Sequence, residues 1–395
     1  MDARSIEQSV VIIGGGPAGL MAADVLSKNN VAVTVIDSQK RVGKKFLVAG
    51  DGGLNLTHSE PLENFVSRYQ DNDWAQQIIT QYTPTNFIEW LHQLGITTFV
   101  GSSGRIFPEK QFKPAQVLQA WIGTLTNQGV KFITNTQLTN INYPQLTFEK
   151  EGNSFQINST HVIFAMGGKS WKKTGSTGSW TSFLNHEQLL PSNLGLHLNW
   201  SPYFMSKFEG DVLKYVAVTF KGLRRLGDII ITKSGLESTP IYHISGAVVQ
   251  TLASIKKATI IIDLKPNQTT NQLLTKVNSN NTWQQCFTKW KLHNSQKALY
   301  VEVFGKNACS TELLVERIKN IPLTITACDT FDKAIATQGG IPKNDLTNDL
   351  AFKNMPNWYA AGEMLNQDAP TGGYLIQHAV SSGYVAAQAI INKLT

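Results

Sequence analysis

Three glycines and one acid near the start of the chain have the types and spacing of a dinucleotide-phosphate site. Gly14, Gly16 and Gly19 follow the apolar run Val10–Ile13, and Asp37 stands 21 residues after Gly16. The first glycine permits a tight turn, the second lets backbone approach a pyrophosphate, and the third lets a helix pack closely on its strand. Pro17 and Ala18 open that helix, whose free N–H groups and positive end face the phosphates. Asp37, with Ser38 beside it, ends a second strand over residues 31–36, where a carboxylate accepts bonds from a ribose 2′-hydroxyl. An unphosphorylated ribose is therefore expected, as in FAD or NAD rather than NADP.

A second group of residues lies far downstream. A strand over 161–166, including Ala165, runs into Gly167-Gly168, and a short apolar strand ends in Gly362-Glu363, an acid suited to ribityl hydroxyls. Thr371, Gly372, Gly373, Tyr374 and Leu375 open an amphipathic helix running to about Asn392, whose N–H groups suit the N1 and O2 edge of a flavin, where negative charge accumulates on reduction. An NAD dehydrogenase has no need of these later motifs, so FAD is the expected cofactor, with hydride transfer at N5.

Proton donors are sought on the same final helix. Tyr374 and His378 are four apart and share a face, and either could protonate a substrate carbon or carbonyl. Lys44 and Lys45, just after Gly43, are candidates for a phosphate or the flavin O2, and Gly53, Leu54 and Asn55 for flavin and ribityl oxygens. Arg105 could clamp an anionic substrate, with Tyr242 and His243 as further substrate-side candidates. Trp171, Trp180 and Trp358 read as core. Cys286, Cys309 and Cys328 lie far apart without a C-x-x-C pair, so neither a redox disulfide nor a metal site is expected.

Positioning these groups requires an α/β Rossmann-like domain of the glutathione-reductase type, assembled from two separated stretches. Helical patterns fall around 74–81, 86–94 and 115–127, a strand at 130–134, and a meander from 146–150, 155–157 and 161–165. From about Pro191 the texture becomes β-rich, with segments at 212–220, 228–232, 241–244 and 258–264, then a polar helical stretch at 271–291 and a helix near 312–319. Dinucleotide-type texture returns near Asp332. The expected organisation is residues 1–190 plus 334–395 as a discontinuous FAD-binding domain, with 191–333 inserted as a substrate-side domain.

With 395 residues, 42% of them hydrophobic, the chain can bury a large core. Its net charge of +7 suits an acidic partner such as RNA, but no basic run of five occurs and Lys256-Lys257, Lys172-Lys173 and Lys221 with Arg224-Arg225 look scattered. No signal peptide and no membrane-spanning stretch is read, so a cytoplasmic protein is expected. Nothing in the sequence bears on oligomeric state.

At this point the chain resembles the BaiN/YhiN-like flavoproteins, FAD-dependent or NAD(P)/FAD-dependent oxidoreductases, over nearly its whole length. The resemblance rests on Val42 to Phe46, the Gly50 to Thr57 loop, Gly104 to Pro108, residues 115–121, Gly167-Gly168 with Ser170-Trp171 and Thr174 to Ser176, Gly339 to Ile341, Gly362-Glu363 and Ala369 to Leu375. It implies a β-rich, barrel-like insertion with appended helices. The loop reads G-L-N-L-T-H where better known relatives have G-G-R-C-N, and Asp51 replaces a small or basic residue, so the charge near the flavin is expected to differ.

Three functions compete. The first is a small-molecule oxidoreductase, reducing an enone or oxidising an amine in an enclosed apolar pocket. The second, implied by a relative associated with dihydrouridine in ribosomal RNA, is an RNA-modifying flavoenzyme that flips a base. The third is a non-catalytic flavin-binding protein. With no second G-x-G-x-x-G, any NADH or NADPH would act as a transient visitor.

Overall fold

The computed structural model describes residues 9–50 and 53–395, which form two compact units: the chain up to Leu189 together with Thr337–Thr395, and Leu190–Ala336. Asp51, whose charge was expected to matter, lies outside the described residues.

The first unit is organised by a parallel five-stranded sheet in the order Trp358–Ala360, Val162–Phe164, Val10–Ile13, Val33–Ile36, Lys131–Ile133. Its three central strands are continuous runs of β-branched and apolar residues buried at every position, the pattern of a parallel sheet covered on both faces. Register is set by pairs such as Ile13 with Phe164 and with Ile36. The helices Pro17–Lys28 and Tyr374–Leu394 pack against each other so closely that a Cβ on Gly383 would stand 2.2 Å from the Ala18 carbonyl oxygen. Only glycine fits that contact.

Two small antiparallel sheets complete the unit. One joins Thr57–His58, Arg105–Pro108 and Thr98–Val100; the other is a meander of Gln137–Asn142, Gln145–Lys150 and Asn153–Asn158. The meander differs from the expected one. Its first strand is 137–142, a largely polar segment that escapes a search for apolar runs, whereas 162–164 leaves the meander and joins the parallel sheet.

The second unit holds a seven-stranded antiparallel sheet that begins at Ile321–Ile325 and ends at Ala327–Cys328. These two segments are separated only by Thr326. One extended run thus pairs with Ala258–Asp263 on one side and Leu196–His197 on the other, closing the sheet on itself as a barrel. Helix Thr239–Ile255 packs on the hairpin strands Val212–Phe220 and Leu223–Thr232. This corrects the reading of 241–244 as a β segment. Pro240 sits in the helix's first turn, and buried Ile241, Ile244 and Val248 recur at helical spacing that four residues are too few to reveal. The polar stretch 271–291 divides into helices Thr270–Leu274 and Trp283–Lys289.

Candidate functional site

The turn after Val10–Ile13 has the geometry its glycines imply. Gly14 has φ +107°, and a Cβ there would lie 2.2 Å from the Ala165 carbonyl oxygen, while one on Gly19 would lie 2.0 Å from the Gly14 oxygen. Gly16 is different in kind: it caps the helix with φ −84°, and a Cβ would meet nothing within 4 Å. Glycine there leaves room for something that is not protein. The helix start has no side-chain cap, so its first N–H groups are available to an anion.

Asp37 accepts hydrogen bonds from the Gly15 and Gln39 backbone N–H groups, both at 2.7 Å. Burial raises its carboxyl above the ordinary carboxylate range, although both N–H bonds and nearby Lys44 pull the other way. Each oxygen keeps a lone pair for a hydroxyl donor. Ser38 is exposed beside it.

Gly362 lies where the two helices cross. A Cβ on it would stand 2.9 Å from the Ala18 Cβ, and its N–H donates to the Ser382 hydroxyl at 2.9 Å. From Gly383 at this crossing the final helix extends nine residues back to Tyr374, about 14 Å at 1.5 Å per residue. There Gly373, φ +89°, leads the helix without a side-chain cap, and a Cβ on it would meet the Thr57 backbone at 2.5 Å. Neighbouring Gly372, φ +147°, lies under the Tyr374 ring, Leu375 packs at the edge of the Tyr374 cluster, and Thr371 is partly exposed.

Buried polar atoms without a partner among the described residues mark the same stretch: Asn55 Oδ1, Thr57 Oγ, Ser176 Oγ and His378 Nε2. Leu54 is buried in the core beside them, and Gly53, φ +105°, faces the Phe107 ring. Ser176 lies against Gly167, whose carbonyl is held by the Trp180 indole N–H at 2.8 Å. Orphaned polar atoms are costly unless a ligand satisfies them. An elongated polar ligand entering at Gly16 and ending at Gly373 fits this set.

Glu363 and the two lysines also have partners within the protein. Glu363, expected to meet ribityl hydroxyls, already accepts from Lys45 Nζ at 2.5 Å, Gly168 N–H at 3.0 Å, Thr337 N–H at 3.1 Å and the Ser170 hydroxyl at 3.5 Å. Its bond from the Gly168 N–H ties it to the Gly167-Gly168 loop. Lys45 donates to Glu363 and to Ser170 at 2.6 Å, and Lys44 donates to Gln39 at 2.9 Å.

Tyr374 and His378 share a face, as their spacing implies, and both rings pack on Tyr69. The Tyr374 hydroxyl donates to Glu60 at 2.6 Å, and Glu60 is paired bidentately with Arg68. Burial and the Glu60 bond push the Tyr374 hydroxyl well up, so it stays protonated. Burial alone would raise the Glu60 carboxyl, but the bonds from Arg68 and Tyr374 outweigh it and hold it low. His58 stacks on Tyr374 with centroids 5.6 Å apart. Its Nδ1 accepts the Glu60 N–H while Nε2 faces the Ser103 carbonyl, which fixes the proton on Nε2. Burial depresses His378 to about 4, so it is neutral at ordinary pH.

His58, Glu60 and Arg68 were not among the expected residues. Their only sequence signal is the H-x-E pair following the Gly50 to Thr57 loop. Arg105 sits on the strand beside Thr57–His58, pairing with His58 in register. Tyr242 and His243 lie in the second unit on helix Thr239–Ile255. There burial, reinforced by Glu237 and Asp329, pushes the Tyr242 hydroxyl up to about 12.

A parallel Rossmann sheet carrying two uncapped helix starts along one elongated site is the framework of the FAD-dependent oxidoreductases, and this chain is of that class. More particularly, it belongs to the HI0933-like protein Rossmann domain family, whose model matches residues 8–389. Among similar proteins, the 3-dehydro-bile acid delta(4,6)-reductase of Clostridium scindens is 25% identical, covering 97% of this chain and 98% of its own length. The ribosomal RNA dihydrouridine synthase of Haemophilus influenzae is 24% identical, covering 96% and 98% respectively. The structure of 3-ketosteroid delta1-dehydrogenase from Sterolibacterium denitrificans superposes with a TM-score of 0.51 at 11% identity, over 98% of this chain and 99% of that one. This last likeness is one of fold. No helix among the described residues is long and apolar enough to cross a membrane.

Proposed function

We propose that this chain uses FAD to reduce a carbon–carbon double bond conjugated to a carbonyl in a small molecule. The observation that carries the cofactor assignment is the pair of uncapped helix starts, at Gly16 and Gly373, on two helices fused at Ala18 and Gly383. The bond class is supported by the names of the two relatives, since a delta(4,6)-reductase and a dihydrouridine synthase both saturate such a bond.

In this reading Gly16, Ala18 and Gly19 hold the pyrophosphate on backbone N–H groups, and Asp37 accepts from the adenosine ribose. Asn55, Thr57 and Ser176 bond the ribityl and flavin polar atoms, and the first turn after Gly373 faces the flavin edge. When bound, FAD supplies a hydride equivalent. Saturating the double bond also requires a proton at the carbon α to the carbonyl; Tyr374 supplies it once its single O–H turns from Glu60 to the substrate. His378, being neutral, contributes a hydrogen bond and not a charge. NADH or NADPH reloads the site from solution.

A second reading, the same chemistry on uridine in RNA, is favoured by one observation. The whole net charge of the chain lies in its second unit, where residues 190–336 carry 17 Lys and Arg against 10 Asp and Glu.

The test is anaerobic. The flavin-loaded protein is reduced with NADH or NADPH, then offered a cyclic enone or a uridine-containing RNA. Reoxidation by the enone far faster than by dioxygen supports the small-molecule reading, and reoxidation by RNA alone supports the second. Reoxidation by neither refutes both. Gly16→Ala separates binding from folding: a Cβ there meets no protein atom, so thermal stability should stay within about 1 kcal/mol while FAD affinity falls at least tenfold. Unchanged affinity would remove the phosphate assignment.

A further inference from the structure

A phenol that gives its proton to a substrate must receive another before it can act again, and Tyr374 is only 5% exposed. The transfer leaves a buried phenolate beside the Glu60 carboxylate, two negative charges against the single guanidinium of Arg68. The groups around the hydroxyl decide where the next proton enters.

Most titratable groups of this cluster are engaged elsewhere. His58 stacks on the Tyr374 ring at an interplanar angle of 18°, and its nitrogens are turned to the Glu60 N–H and the Ser103 carbonyl. The Tyr69 hydroxyl donates at 2.6 Å to the Tyr374 backbone carbonyl, away from the phenol oxygen. His378 packs on Tyr69, and burial keeps it neutral, so it is no acid. Arg68, its guanidinium held protonated by the bond to Glu60, has no proton to spare at any working pH.

Glu60 lies between the strand Thr57–His58 and the helix Leu62–Val66, on the route from the phenol to solvent. Its Oε1 accepts the Tyr374 O–H at 2.6 Å, a separation across which a proton passes directly. Arg68 pins both carboxylate oxygens, Nε on Oε1 at 3.2 Å and a terminal nitrogen on Oε2 at 2.7 Å. The side chains of Glu60 and Arg68 are 11% and 29% exposed, so water reaches this pair.

Charge acts in both directions here. In the resting site burial alone would raise the Glu60 carboxyl, but the bonds from Arg68 and Tyr374 outweigh it and keep the group ionised. Once Tyr374 is a phenolate, one of those bonds is gone and a second negative charge stands beside Glu60, so the pair binds a proton far more tightly than the resting carboxylate does.

We propose that Glu60 is the proton inlet of Tyr374, taking a proton from solvent after each reduction and handing it to the phenolate through Oε1. This rests on the reading of Tyr374 as proton source, and Glu60 acts through Tyr374 without touching substrate. The protons balance: Tyr374 gives one to carbon, a carboxylate oxygen gains one from solvent, and that O–H bond breaks as the Tyr374 O–H bond re-forms.

The test separates the first turnover from later ones. Flavin-loaded full-length protein is reduced anaerobically with dithionite and mixed with cyclohexenone, for one turnover by stopped flow and, with excess dithionite, for many. Glu60→Gln keeps an acceptor for the Tyr374 O–H but carries no proton. Its first turnover, which uses the proton already on Tyr374, should slow less than about threefold, whereas its steady-state rate should fall at least about tenfold. Phenolate absorbance should persist in that variant after the first turnover. Glu60→Asp, shorter but able to carry a proton, should turn over faster in steady state than Glu60→Gln, the opposite of the order that shape alone would give. Thermal melting and flavin content establish that each variant is folded and loaded. The wild-type protein gives a check that needs no variant: raising the pH should slow its steady-state rate more than its first turnover.

Equal losses in both phases of Glu60→Gln would make Glu60 a positioning residue and overturn the inlet, as would a glutamine variant faster than the aspartate one. If Tyr374→Phe reduces cyclohexenone as fast as wild type, the inlet falls and the reaction stands. If wild-type flavin is not reoxidised by cyclohexenone at all, the proposed reaction falls and the inlet with it.

Discussion

Replacing His378 with glutamine should flatten the acid side of the stability profile. The imidazole is buried within the final helix with Nε2 unpartnered, and burial holds it near 4 where an ordinary histidine titrates near 6.5. The unfolded chain therefore binds a proton at a pH where the folded one does not. The sign follows: the stabilising preference for neutral histidine is complete above about pH 6.5 and is lost progressively as pH falls toward 4. At about 1.4 kcal/mol per pH unit, the full loss is roughly 3 kcal/mol, of which roughly 2.5 kcal/mol is already gone at pH 4.5. Glutamine is neutral throughout, so His378→Gln lacks this component while every other titrating group is retained. Urea unfolding of both proteins at pH 7.5 and pH 4.5, at matched FAD saturation, isolates the difference of differences. The wild-type protein should lose roughly 2.5 kcal/mol more than the variant. Equal losses would show that His378 protonates in the folded state without penalty, and the buried, neutral role assigned to it would fall.

Other outcomes are expected at the same site. Gly373→Ala forces a Cβ to within 2.5 Å of the Thr57 backbone at φ +89°, so it should cost about 2–3 kcal/mol of stability by thermal melting and release flavin on gel filtration. Lys45→Met leaves Glu363 without its cation and should destabilise the protein by about 1–3 kcal/mol, whereas Lys45→Arg should largely restore it. Tyr374→Phe removes one buried hydrogen bond, worth about 1–2 kcal/mol, but should lower the rate of double-bond reduction at least a hundredfold with flavin reduction by NAD(P)H unchanged. Equal effects on both half-reactions would deny Tyr374 its role as proton source.

The nucleotide half of the site was legible because its chemistry is written in adjacent residues. Gly14 and Gly19 are constrained by backbone, one against the Ala165 carbonyl and the other against Gly14 itself, while Gly16 is left open, so spacing alone conveys the geometry. The flavin half was legible as a set of glycines and not as a network. Glu60 and Tyr374 are 314 residues apart, and no local pattern announces that one carboxylate will orient a phenol from the far end of the chain. Glu363 is the converse case: its place after Gly362 suggests a ligand contact, while its partners at Lys45, Gly168 and Thr337 are long-range and leave no local signal. In the second unit, Ile241 to Ile244 lay in too short a window to distinguish helix from strand. Lys221 and Lys257 looked scattered because only the sheet register, Thr219 opposite Ile261, makes their strands neighbours.

The close seat of Gly383 on Ala18 has a consequence for how the molecule comes to exist. Its parallel sheet takes an edge strand from Trp358–Ala360 and its first helix takes a partner from Tyr374–Leu394, both made after the barrel segment is finished. On the ribosome the inserted barrel can close as soon as residues 321–328 emerge, whereas the glycine turn, made before it, must wait for residues 358–394. The glycine turn thus precedes the barrel in synthesis and follows it in completion.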